Sequence, residues 1–206
     1  MYSSSITALL LAGGRGARMG GVDKGLQRFN GTPLARHALD RLAQQTLPPA
    51  EVLINANRHL DDYRALGAPV WPDSLPDFPG PLAGFLTGLE QGRTPLLLTL
   101  PCDVPHFPLS LCEQLAQALQ ASGADIAVAS AAERAQPVFC LMRAGMRLRN
   151  DLAAYLAEGG RQVEAWTVRH RRVAVPFDDP RAFANANTLD ELRALEQPPC
   201  SSTRCG

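Results

Sequence analysis

The stretch Ile6-Thr7-Ala8-Leu9-Leu10-Leu11-Ala12-Gly13-Gly14-Arg15-Gly16-Ala17-Arg18-Met19-Gly20-Gly21-Val22-Asp23-Lys24 decides the fold. Ile6 to Leu11 is an apolar run of the kind that a parallel sheet buries on both faces. The remainder is a glycine-rich loop that also carries Arg15, Arg18 and Lys24. Glycines let a backbone approach a ligand closely and turn several N–H groups inward, and the three cations add charge for a phosphate. A merely flexible turn has no use for the cations. The loop misses the dinucleotide fingerprint, since Met19 stands where a third glycine belongs after Gly14 and Gly16. It also misses the Walker pattern, because Gly25 and not Ser or Thr follows Lys24. What remains is a phosphate cradle of another kind, opening an α/β domain.

Working outward, the alternation continues. Strands are expected at Glu51–Asn55, Ala68–Trp71, Leu96–Leu100, Asp125–Ser130, Pro137–Met142 and Arg172–Pro176, as short β-branched or leucine-rich runs. Helical spacing falls between them: Pro33–Leu42, a helix opened by Pro79-Gly80-Pro81-Leu82 and running to about Glu90, Leu109–Leu119 and Met146–Ala157. Thr188–Leu195 reads as a closing helix capped by its own threonine. Without internal repeats, and with no Asn-Gly hairpin taken to interrupt the alternation, the pattern predicts a mostly parallel sheet with helices on both faces. Residues 1–197 are expected to form a single domain and 198–206 a flexible tail, with Pro72–Gly84 a wall of the site instead of a linker.

Composition narrows the function. The 206 residues are 46% hydrophobic and 19% charged, a globular mix with ample core. Twenty basic residues balance twenty acidic ones, so no long-range field favours nucleic acid or an anionic membrane. No apolar run approaches the ~20 residues of a membrane span. The start, Met1 to Ser5, has no basic segment and leads straight into a strand, which argues against a signal peptide, and an odd cysteine count in a chain with ample core fits a reducing cytoplasm. The five cysteines are an odd count and imply no disulfide framework; Cys200 and Cys205 lack the neighbours a metal site needs. Nineteen of the twenty basic residues are arginine, and Lys24 is the sole lysine. Arginine replaces lysine freely on a solvated surface, less so where a compact ammonium meets a phosphate.

In an open parallel sheet, ligands collect outside the carboxyl ends of the strands. The polar residues there are the loop Gly13 to Lys24, Asn55, Asp73 and Asp103. Asp103 ends an otherwise apolar strand, where a carboxylate either caps the next turn or holds a cation. Opposite a phosphate cradle the cation reading is favoured, and Mg²⁺ habitually takes one or two carboxylates with phosphates and water completing its shell. Cys102 beside it reads as a packing residue with no base to activate it. Asp73 is a candidate to accept N1–H and N2–H of guanine, and could equally serve the ribose or hold the loop. His37, His59 and His106 have no metal-ligand spacing, and the cluster Arg161, Arg169, His170, Arg171, Arg172 reads as a solvated face more than a phosphate receptor.

The motifs Leu-Ala-Gly-Gly-x-x-x-x-Arg-Met-Gly-Gly-x-Asp-Lys-Gly from Leu11, Asn55-Ala56-Asn57-Arg58-His59, Asp73-Ser74 with Pro79-Gly80-Pro81-Leu82-Ala83-Gly84, Pro101-Cys102-Asp103-Val104-Pro105 and Asn185-Ala186-Asn187-Thr188 occur in this order. Together they resemble the molybdenum cofactor guanylyltransferases, from about Ile6 to Leu195. The resemblance implies a Rossmann-like nucleotidyltransferase fold and Mg²⁺-dependent transfer of GMP from GTP to molybdopterin cofactor, with release of pyrophosphate. It implies GTP binding by Leu11, Ala12, Gly13, Gly14, Lys24, Asn55, Asp73 and Asp103, with Asp103 also the metal ligand. Arg18 and Lys24 would stabilise the leaving pyrophosphate, and Asn185 and Asn187, which could also cap the next helix or close a turn, would stand beside the pterin or the α-phosphate. Partners implied are the two substrates, proteins of cofactor synthesis and recipient molybdoenzymes. Related cytidylyltransferases tend to show Leu-Ala-Ala-Gly in the first motif, so Leu-Ala-Gly-Gly favours GTP by resemblance. The alternatives are a cytidylyltransferase or other nucleotidyltransferase of the same fold, and a non-catalytic cofactor carrier.

Overall fold

Strand β1 (Ile6–Leu11) is covered on both faces: Ile6, Ala8, Leu9 and Leu10 are fully buried, as is its one polar residue, Thr7, whose hydroxyl donates to Glu51 Oε2 at 2.7 Å. The computed structural model describes residues 5–12, 23–75, 80–186 and 188–196. Among these, further sheet strands are β4 (Glu51–Asn55), β5 (Val70–Trp71), β6 (Leu96–Pro101), β7 (Ile126–Ala131), β8 (Arg134–Arg143) and β9 (Arg172–Phe177), and a small ribbon pairs β2 (Arg28–Phe29) with β3 (Thr32–Pro33). The large sheet has the order β5-β4-β1-β6-β8-β7-β9. The pairs β5–β4, β4–β1, β1–β6 and β7–β9 are parallel, and only β8 runs against its neighbours.

The helices are α1 (Leu34–Ala43), α2 (Leu60–Arg64), α3 (Pro81–Gln91), α4 (Leu111–Ser122), α5 (Met146–Ala157), α6 (Val163–Thr167) and α7 (Leu189–Glu196). Strand side chains alternate between faces, and the core divides accordingly. Ile6, Ala8 and Leu10 of β1 pack with Ala35, Ala38 and Leu42 of α1 and Leu111, Leu115 and Leu119 of α4. On the other face, Leu9, Leu53 and Leu97 meet Leu82, Phe85, Leu86 and Leu89 of α3 and Leu148, Leu152 and Leu156 of α5. Each such leucine contributes roughly 1.5–3 kcal/mol by leaving water. Helix α7 covers the small ribbon, joining Leu192 and Ala186 to Phe29 and Leu34. Its start is a reciprocal capping box: Glu191 N–H donates to Thr188 Oγ1, and Thr188 N–H to the Glu191 carboxylate, both at 3.1 Å.

The expected strands and α/β layering are present, with one correction. Asn30-Gly31 does form a hairpin, linking β2 to β3 with φ values of 48° and 80°. A second tight turn, Ala132-Glu133, joins β7 to β8 with φ values of 46° and 61°. Both central residues of each turn are left-handed, as the twist of a two-residue hairpin requires. This second hairpin makes β8 antiparallel. Pro137 is tolerated within β8 because it falls where the register shifts, between the pairs Ala129–Gln136 and Val128–Cys140. Cys102, Cys112 and Cys140 are buried and free. Among the described residues no helix is long and apolar enough to cross a membrane.

Candidate active site

Strand order reverses at β1: the chain moves outward through β4 to β5, then returns to β6 on the other side. The crevice between β1 and β6 is therefore the switch point of the parallel half, and the carboxyl ends of β5, β4, β1 and β6 share one edge. Backbone hydrogen bonds extend the ladder past the strands: Ala12 N–H donates to Asn55 O (2.9 Å), Cys102 N–H to Leu11 O (3.1 Å) and Ala56 N–H to Trp71 O (3.1 Å). The residues that follow, Asn57, Asp73 and Asp103, thus leave from a rigid rim.

Across the crevice, Lys24 Nζ lies 3.2 Å from Asp103 Oδ2. The Asp103 side chain is 11% exposed and that of Lys24 27%, so the pair is shielded yet reachable. Asp103 Oδ1 has no hydrogen-bond partner among the described residues. Cys102 is buried, and burial, with the Asp103 and Asp23 carboxylates nearby, pushes its thiol well above the usual range. Among the described residues no group of three or more His, Cys, Asp or Glu could cage a metal. The donor set among the described residues is one shielded carboxylate, which suits a hard divalent cation completed by substrate oxygens and water.

Asp73 is held on two sides. Asn55 Nδ2 donates to its Oδ1 at 3.0 Å and Asn57 Nδ2 to its Oδ2 at 2.7 Å, while Asp73 N–H donates to Asn57 Oδ1 at 2.8 Å. Asn55 is 3% exposed and its amide also donates to Trp71 O at 3.2 Å, so it braces the rim from within. Ser74 continues the array, its N–H donating to Thr87 Oγ1 of α3 at 3.0 Å. Helix α3 reaches this rim because Gly84 has no side chain: a Cβ there would fall against Asn55 Oδ1 and 2.5 Å from Leu11 Cδ2.

The residues singled out from sequence therefore converge in part. Leu11, Ala12, Lys24, Asn55, Asp73 and Asp103 lie along one edge. Asn185 is exposed beside it, because the next residue, Ala186, donates its N–H to Asp103 O at 2.8 Å. Gly13, Gly14, Arg15, Arg18 and Asn187, and the tail with Cys200 and Cys205, lie outside the described residues. In the basic cluster, Arg169 meets Asp151 at 3.5 Å, Arg171 meets Asp125 at 3.2 Å and Arg172 meets Glu164 at 2.6 Å, and Arg161 donates to the carbonyls of Leu156 and Gly160; the His170 side chain, expected on a solvated face, is instead buried beside Asp151. His37 faces Phe29 O, His59 Asp62 and His106 Leu195 O, none at the crevice. Sequence reading gave no role to Asn57 or Tyr63. Asn57 carried a signal, two positions beyond Asn55 in the same strand-terminal motif.

With this geometry in place, comparison with known proteins defines the class. Residues 8–175 match the MobA-like NTP transferase domain. The fold is shared with solved structures: molybdopterin-guanine dinucleotide biosynthesis protein A from Archaeoglobus fulgidus superposes with a TM-score of 0.75 at 20% identity, covering 92% of this chain and 96% of that one. Rv0371c from Mycobacterium tuberculosis, solved as a complex with manganese, gives a TM-score of 0.67 at 17% identity over 93% of this chain and 98% of its own. This is a nucleotidyltransferase. The molybdenum cofactor guanylyltransferase of Albidiferax ferrireducens is 54% identical over 210 residues, 96% of this chain and 98% of its own, and the chain belongs to that family.

Proposed function

We propose that the chain transfers GMP from GTP to the terminal phosphate of molybdopterin cofactor, with the Lys24–Asp103 edge as the reacting centre. The observation that carries this reading is the 3.2 Å pairing of the sole lysine with the strand-terminal carboxylate at the β1–β6 crevice. An oxygen of the acceptor phosphate bonds to the α-phosphorus of GTP, and the bond from that phosphorus to the bridging oxygen breaks, its electron pair leaving on pyrophosphate. The acceptor phosphate is already ionised near neutral pH and needs no general base. Positioning and charge neutralisation are what the protein supplies.

Lys24 brings the ammonium for the phosphates of the leaving group, and Arg18 is proposed to share that role. Asp103 would hold Mg²⁺, which when bound neutralises charge on phosphate oxygens. Asp73 accepts one N–H on each carboxylate oxygen and retains lone pairs for the nucleoside. Asn185, tethered next to Asp103 through Ala186, is assigned to the pterin side, and Asn187 with it.

Thermal stabilisation by GTP, CTP, ATP and NAD, each with and without Mg²⁺, tests the assignment. A ligand at ~100 times its dissociation constant adds about 2.7 kcal/mol, roughly 5–10 °C for a chain of this size. The expected result is a selective, Mg²⁺-dependent shift with GTP. Preference for CTP would move the reaction to cytidylyl transfer, and no shift with any nucleotide would overturn the site.

A further inference from the structure

Lys24 stands on a short turn, and that turn is gripped from two sides. Asp23 caps the 3-10 turn Lys24–Leu26, its Oδ1 accepting the Gly25 N–H at 3.1 Å. The same oxygen accepts the hydroxyl of Tyr63, which comes from α2, beyond β4, and is fully buried. The opposite grip is steric. A Cβ on Gly25 would fall against the Tyr63 hydroxyl, with ring atoms Cε1 and Cζ 3.1 Å away. The hydroxyl also lies 3.5 Å from Ala12 O, at the end of β1. Asp23 is itself only 5% exposed, and a buried carboxylate holds its place when its hydrogen bonds are met. Burial and the neighbouring acids raise the Tyr63 phenol above its usual range, so it remains a donor.

A lysine stem is long and flexible, and its ammonium is placed only if the backbone beneath it is. We infer that Tyr63 is a positioning residue for Lys24: its hydroxyl, acting through Asp23, fixes the turn from which Lys24 reaches Asp103. The catalytic consequence rests on the function proposed above; the placement of the ammonium does not.

Because the protein contains one lysine, lysine labelled with ¹³Cε and ¹⁵Nζ reports Lys24 alone. Asp103→Ala defines the signal of the ammonium once it has lost this carboxylate. Tyr63→Phe, which removes one oxygen and keeps the ring, is expected to move that signal at least halfway there and to lower kcat for GMP transfer about tenfold. In a Lys24→Ala background the same change is expected to lower kcat less than twofold further. An unmoved lysine signal overturns the inference, as does an equal loss of kcat in both backgrounds, which marks a merely structural role. A shifted signal with wild-type kcat upholds the positioning and contradicts the role given to Lys24 in transfer. If Tyr63→Phe does not fold, Asp23→Ala, which removes the shared acceptor oxygen, takes its place, and the same signal and the same pair of backgrounds decide.

Discussion

Replacing Gly84 by alanine sets two effects of opposite sign against each other. An interior helical glycine ordinarily gives up about 0.8–1.0 kcal/mol relative to alanine, so Gly84→Ala on an open face would stabilise α3. Here the added methyl would fall against Asn55 Oδ1, 2.5 Å from Leu11 Cδ2 and 3.1 Å from Asn55 Cγ. Leu11 ends a central strand, and Asn55 is pinned by hydrogen bonds of 3.2 Å to Trp71 O and 3.0 Å to Asp73 Oδ1, so neither yields cheaply. Overpacking a tight core costs typically 1–3 kcal/mol, and moving Asn55 gives up about one hydrogen bond, near 1 kcal/mol. After the propensity gain, the net destabilisation is about 1–3 kcal/mol, a fall in Tm of roughly 2–12 °C. Thermal and urea unfolding measure it, and because the displaced Asn55 carries Asp73, the KM for GTP should rise in the same variant. A Gly84→Ala protein as stable as the parent, with unchanged KM, would refute the packing reasoning.

Asn57→Ala removes one of the two asparagine grips on Asp73 and should raise the KM for GTP about tenfold with kcat within a few-fold, measured by pyrophosphate release; in an Asp73→Asn background it should add little. Asp125, hydrogen-bonded by Arg171 and then Arg147, is held down at about 2 against an ordinary 3.8. A depressed carboxyl contributes stability above its unfolded pKa, so this contribution is full above about pH 5 and is lost as pH falls through 4 towards 2. The double variant Arg147→Ala, Arg171→Ala should return the Asp125 titration towards 3.8 by NMR and flatten the acid limb of the stability profile. Glu133 sits at φ 61° in the β7–β8 turn, so Glu133→Gly should stabilise the chain by a few tenths of a kcal/mol to about 1 kcal/mol in urea unfolding.

What the sequence made legible follows from where the physics is local. Leu96 to Leu100 had to be a buried strand because four of its five residues are leucine, and Asp103 beyond it had to leave the sheet at its carboxyl end. The same reasoning applied to Leu11, Asn55 and Asp73, and the parallel registers bring all four strand ends together. The reversed strand β8 was not legible: its hairpin turns on Ala132 and Glu133, neither of which advertises a left-handed turn. Asn30-Gly31 did carry that signal, yet it joins strands of only two residues each, too short to show alternation. Helices α2 and α6 are five residues long and cannot display a period of 3.6. The grip of Tyr63 on Asp23 is a contact between residues forty positions apart. No spacing rule announces such a pair; it exists only once α2 packs under the end of β1.

The most direct test is pyrophosphate release from GTP in the presence of molybdopterin cofactor and Mg²⁺, with the guanylylated product followed by mass, for the parent chain and for Asp103→Ala. The account predicts acceptor-dependent release with GTP, little with CTP, and a loss of at least a hundredfold in kcat for Asp103→Ala, about 2.7 kcal/mol of transition-state stabilisation or more. Near-normal turnover by Asp103→Ala would contradict it, because the carboxylate paired with the only lysine would then have no part in the chemistry.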